Sequence, residues 1–140
     1  MHVLVPIDDS DPARAALEWA VATYPDADVT ALHVVEPSLA AYSETDANPY
    51  DFKLAADADG EIADTLFETA TDRAAEHGVS LTTELLVGSP ARAIVQFATD
   101  EEVDRIVVGS HGRTGISRVL LGSVAEQVVR RAPMSVTVVR

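Results

Sequence analysis

Five short runs of mostly β-branched apolar residues alternate along the chain with stretches whose apolar residues recur every three or four positions. The runs are Val3, Leu4, Val5 and Ile7; Val29, Ala31, Leu32, Val34 and Val35; an alternation at Val79 and Leu81 that continues into Leu85–Val87; Ile106–Val108; and Met134–Val139. Near-continuous apolar runs of this length suit strands buried on both faces, which is the condition of a parallel sheet covered by helices. Strands alternating with helices five times specify an open α/β sheet with helices on both faces.

The helical stretches carry their own punctuation. Ser10 or Asp11 is placed to cap the first, with Pro12 in its first turn, and Ala13, Ala16, Leu17, Ala20 and Val21 follow at helical spacing up to the Pro25 region. Residues 38–50 are polar, contain Asn48-Pro49 and show no period, so a loop of that length is expected there. Ala58, Ile62, Leu66, Ala70 and Ala74, joined by Ala63 and Phe67, predict a helix that Gly78 ends in a left-handed cap. Gly88-Ser89-Pro90 then supplies a turn, an N-cap and a proline at the first helical position, and Ile94, Val95 and Ala98 form the inner face of that helix. His33, inside an apolar strand, reads as a hydrogen-bonded core histidine rather than a base.

Composition narrows the chemistry. At 140 residues and 47% hydrophobic the chain is long enough for one domain over residues 1–140 and too short for two ordinary ones. It has no cysteine, so disulfides, thiolate metal sites and cysteine nucleophiles are excluded. No signal-peptide pattern opens it and no 18-residue uncharged apolar run occurs, so a soluble cytoplasmic location is expected. The net charge of −13 argues against nucleic acid and anionic membranes as partners. The imbalance is local: residues 1–104 hold 22 Asp/Glu and 4 Lys/Arg, whereas 105–140 hold Glu126 against Arg105, Arg113, Arg118, Arg130, Arg131 and Arg140. That cationic quarter is either buried or self-associating, and so poor in acids, or an anion site. Abundant acids, Lys53 as the sole lysine and small apolar side chains suggest a halophile.

The segment from Val107 to Val129, VVGSHGRTGISRVLLGSVAEQVV, sits in that quarter. Gly109 opens the loop after the fourth strand, and Ser123 with Glu126 has the S-x-x-E form of a capping box, which puts a helix start next to Gly122. In open α/β sheets ligands bind beyond the carboxyl ends of the strands, where helix N-termini present free N–H groups to anions. Glycines let an anion approach the main chain, and Ser110, Ser123 and backbone amides can donate to phosphate. Neither G-x-x-x-x-G-K-[ST] nor a post-strand G-x-G-x-x-G is present.

What is present is Gly109, two residues, Gly112, nine residues, then Gly122-Ser123, which resembles the G-x2-G-x9-G-[ST] motif of the ATP-binding branch of the universal stress protein (UspA-like) family. VPIDDS, LHVVEP, Gly88-Ser89-Pro90 and APMSVTVVR are similar to other landmarks of that family, so the likeness spans the chain. The resemblance implies a five-stranded parallel sheet of order 3-2-1-4-5, Rossmann-like and of the adenine nucleotide alpha hydrolase-like type, with the ends of strands one and four adjoining. It further implies that Pro6, Ile7 and Asp8 line the adenosine side, that Val34 offers its backbone to adenine, and that Gly109, Gly112, Gly122, Ser123 and Val124 hold ribose and phosphates. Ser110, His111 and Arg113 complete the expected nucleotide-binding set. The same likeness implies a homodimer through the last strand at Val136, Thr137, Val138 and Val139, which also suits a valine-rich edge strand. Asp8 read without the family is a turn former or helix cap; with it, a ligand contact. No protein metal site is expected, although Mg²⁺ or Mn²⁺ can accompany ATP, with Asp8 an outer partner through water. The function implied is nucleotide-dependent regulation or sensing in stress physiology. The alternatives are a slow ATP hydrolase or phosphotransfer enzyme, and a dimeric interaction protein of the same fold that binds no nucleotide.

Overall fold

His2–Pro6 forms β1 and Asp11–Thr23 forms α1, followed by β2 at Asp28–Val35 and α2 at Pro49–Glu76. β3 is Leu81–Val87, α3 Pro90–Asp100, β4 Arg105–Gly109, α4 Ser123–Arg131 and β5 Ser135–Val139. This computed structural model describes residues 1–37, 49–111 and 121–140, and of 49–60 the backbone alone. The expected loop at 38–50 falls mostly outside the described residues; its last two belong to α2, which begins at Pro49. Proline at a helix start needs no N–H partner, so the residue that reads as a breaker opens the helix.

The five strands are parallel in the order β3-β2-β1-β4-β5, as the resemblance implied. Side chains alternate across the sheet, so each strand feeds two cores. Val3, Val5, Ile7, Val29, Ala31 and Val107 pack with Ala16, Leu17, Ala20 and Val21 of α1 and Ala70 and Ala74 of α2. Leu4, Leu32, Ile106 and Val108 pack on the other face with Ala91, Ile94 and Ala98 of α3 and Ala125 and Val128 of α4. Leu4, Leu32 and Ile106 are wholly buried, each contributing about 1.5–3 kcal/mol. Within the expected period of α2, Ala63, Ala70 and Ala74 turn inward while Ile62 is exposed.

Helix ends follow backbone chemistry. At the end of α2 the Gly78 N–H bonds the Ala75 carbonyl at 2.9 Å and the Val79 N–H the Ala74 carbonyl at 3.0 Å, with Gly78 at φ 74°. This is a Schellman arrangement, and it contains the left-handed cap expected of Gly78. The end of α3 repeats it without glycine: the Val103 N–H bonds the Ala98 carbonyl at 2.9 Å and Glu102 takes φ 52°. α1 has no basic residue in its last turn. The Arg105 guanidinium comes from β4 instead, 5.9 Å from the Tyr24 ring at that helix end and 2.9 Å from Thr137 Oγ1.

Candidate functional site

β1 and β4 pair at Val3↔Arg105 and Leu4↔Ile106 and then part, although β1 runs on to Pro6 and β4 to Gly109. The sheet order reverses at this junction, so the connections leaving the two strands go to opposite faces and a crevice opens between their carboxyl ends. Two helix N-termini, those of α1 and α4, flank it.

On the β1 side, Asp8 is half-buried and its Oδ1 accepts the Ser10 N–H at 2.8 Å. This is an Asx turn, so Asp8 does serve as a turn former. Ser10 is the N-cap of α1, with Pro12 just inside the helix, and its Oγ accepts the Ala13 N–H at 3.3 Å. The Ile7 N–H bonds the Leu32 carbonyl at 2.8 Å, which extends the hold of β2 one residue past β1. His33, expected to be a hydrogen-bonded core histidine, is half-buried, and its Nδ1 lies 2.8 Å from the Ile7 carbonyl. Its partner therefore belongs to the crevice, which nothing in an apolar strand pattern signals.

On the β4 side, a Cβ on Gly109 would lie 2.6 Å from the Pro12 carbonyl carbon and 2.9 Å from the Ala13 nitrogen. Glycine is thus required there by the first turn of α1, a packing reason beside the expected one of ligand approach. Ser110 is buried; its N–H bonds the Val139 carbonyl, its carbonyl accepts the Gly122 N–H, and its Oγ lies 3.1 Å from His111 Nδ1. It ties β4, β5 and the start of α4 together. The buried Nε2 of His111 has no partner among the described residues.

α4 starts next to Gly122, as expected, but not through a capping box. Gly122 is itself the N-cap, with extended backbone, no side chain among the described residues caps the helix, and Glu126 pairs with Arg130 at 2.8 Å. Ser123 is exposed at the first helical position, and among the described residues no side chain caps the N–H groups of that first turn. Gly112, Arg113 and Arg118 lie outside the described residues. Of the other cations in that quarter, Arg105 opens β4 and Arg130 and Arg131 close α4, which places these three at the amino end of the sheet, whereas Arg140 follows Val139 at its carboxyl end. Among the described residues no group of three His, Cys, Asp or Glu side chains is placed to hold a metal ion. The arrangement can hold an anion through main-chain donors and a hydroxyl.

The model of the universal stress protein family matches residues 1–140. The chain belongs to that family. One family relative, universal stress protein MJ0531 of Methanocaldococcus jannaschii, is 36% identical over 140 residues, 99% of this chain and 81% of that protein. The structure of the family member UspA from Lactobacillus plantarum matches with a TM-score of 0.88 and 34% identity, covering 100% of this chain and 97% of that one. Another universal stress protein, solved in complex with cAMP, matches with a TM-score of 0.71 and 26% identity, covering 100% of this chain and 97% of that one.

Proposed function

We propose that residues 1–140 form one cytoplasmic, adenine-nucleotide-binding regulatory domain, with ATP as the principal ligand. The observation that carries this reading is the N-terminus of α4, uncapped by any side chain among the described residues, beside the crevice where β1 and β4 part. A helix N-terminus with free amides favours phosphate, and a neighbouring strand end offers backbone groups for a base. The relative crystallised with cAMP supports an adenine nucleotide as the ligand class. Phosphates would lie over Gly109, Gly112, Gly122, Ser123 and Val124, with Ser110, His111 and Arg113 around them, and the adenosine against Pro6, Ile7, Asp8 and Val34. Mg²⁺ or Mn²⁺ would be held chiefly by phosphate oxygens and water, since Asp8 is the one carboxylate in this set.

Two further parts of the reading concern the whole molecule. β5 is an edge strand whose Val136, Thr137, Val138 and Val139 are only half-buried, which supports pairing with the same strand of a second copy. The net charge of −13 supports a protein adapted to high salt, where self-repulsion is screened. Among the described residues no helix is long and apolar enough to cross a membrane.

The deciding experiment denatures freshly purified protein, kept in high-salt buffer with Mg²⁺, and identifies released nucleotide by chromatography and mass. Near-stoichiometric ATP is expected. An empty protein that also fails to bind added ATP would overturn the nucleotide reading. Refolding in dilute buffer tests salt adaptation separately, since full stability there contradicts it.

A further inference from the structure

Along a parallel strand, the N–H and C=O of one residue point to one neighbouring strand and those of the next residue to the other. On β2, Leu32 faces β1, because its carbonyl receives the Ile7 N–H at 2.8 Å. Val35 faces the other way, because its carbonyl receives the Gly88 N–H, just past β3, at 2.9 Å. Val34 therefore turns its N–H and C=O to the side of β1, at the level where β1 has already ended at Pro6.

Continued by one step, the β1–β2 ladder would deliver the Val34 N–H to the Ile7 carbonyl. The His33 imidazole bonds that carbonyl at 2.8 Å, and no backbone hydrogen bond joins Val34 to Ile7. A carbonyl only accepts, so Nδ1 carries the hydrogen in this contact. In the neutral ring Nε2 is then unprotonated, and the bond to Ile7 is made equally by the neutral and the charged ring.

We infer that His33 is a positioning residue that sets base specificity: by holding the Ile7 carbonyl to its ring it keeps the Val34 N–H out of the ladder, and because β1 has ended at Pro6 the Val34 C=O is available beside it. Together those two groups present one donor and one acceptor. Adenine offers the complementary pair on its Watson–Crick edge, an acceptor at N1 and a donor at the N6 amine. Guanine offers the reverse, a donor at N1 and an acceptor at O6, so both of its contacts would be repulsive. This inference rests on the nucleotide reading above and adds to it a side chain that touches no ligand.

The test combines amide exchange with nucleotide titration on the full chain. In wild type without ligand the Val34 amide should exchange freely and become protected when ATP is added. In His33→Leu it should be protected without ligand, because the ladder closes onto Ile7. ATP affinity should then fall about tenfold, the order of one hydrogen bond, and the preference for ATP over GTP should shrink. His33→Asn, whose side-chain amide offers a donor close to where Nδ1 sits, should recover most of the lost affinity. Unchanged exchange at Leu4 and Leu32 establishes that each variant is folded. A His33→Leu protein that binds ATP as wild type does, or a Val34 amide already protected in unliganded wild type, would overturn the inference. A wild type that binds neither nucleotide overturns the nucleotide reading itself, and the exchange data then judge the backbone arrangement alone.

Discussion

Two helices begin beside the crevice, and their beginnings are opposite in kind. The first turn of α1 is closed by its own chain: Ser10 caps it, Asp8 braces the cap and Gly109 presses on it from β4. The first turn of α4 has no such cap among the described residues: Gly122 brings no side chain, and each helix's first-turn acid, Asp11 or Glu126, is ion-paired with an arginine of its own helix. A helix N-terminus that its own residues have satisfied gains little from a ligand, whereas an open one gains donors' worth of binding. The asymmetry points an incoming phosphate at α4 and leaves α1 to hold the crevice wall in place.

That contrast can be broken at four positions, in descending order of effect. Gly109→Ala forces a Cβ against the Pro12 backbone, and urea denaturation should show a loss of about 3 kcal/mol through overpacking. Gly122→Asp converts the start of α4 into one like that of α1. Titration should then show ATP binding weakened by about tenfold or more, while the helix gains a few tenths of a kcal/mol from the new cap. Ser10→Ala opens α1 instead, and thermal or urea unfolding should register about 1 kcal/mol of lost stability with ATP affinity within about twofold of wild type. Ser123→Ala should change stability by less than about 0.5 kcal/mol, because its exposed hydroxyl caps nothing, and reduce ATP affinity severalfold. Equal losses of ATP affinity in Ser10→Ala and Ser123→Ala would mean that the two helix starts are not distinguished by ligand.

The features legible in the sequence are those written in local chemistry. Apolar runs marked all five strands, Ser10-Asp11-Pro12 and Ser89-Pro90 marked two helix starts, and Gly78 marked a left-handed cap. Strand order came from the family resemblance, because periodicity says nothing about which strands adjoin. Features that depend on a distant partner were not legible. Glu102 adopts the same left-handed cap as Gly78 with nothing in its residue type to announce it; burial of Val103 and Ala98 at that turn holds it there. The demand on Gly109 comes from Pro12, far away in the chain, and the contact of His33 comes from Ile7 on the neighbouring strand. The S-x-x-E pattern at Ser123 misled because it fits a helix starting one residue later than the one that forms.

The short ladder between β1 and β4 has a consequence for how the molecule comes apart. β2 and β3 are paired from Val29↔Leu81 to Val35↔Val87 and β4 and β5 from Arg105↔Ser135 to Gly109↔Val139, yet β1 meets β4 only at Val3↔Arg105 and Leu4↔Ile106. The sheet is therefore two half-sheets joined at a narrow hinge, with α1 laid across it, and sub-global opening should run along that hinge before either half loses its own pairing. A molecule lodged between the two strand ends would span both halves, so its binding energy would appear as cooperativity, fusing two unfolding units into one.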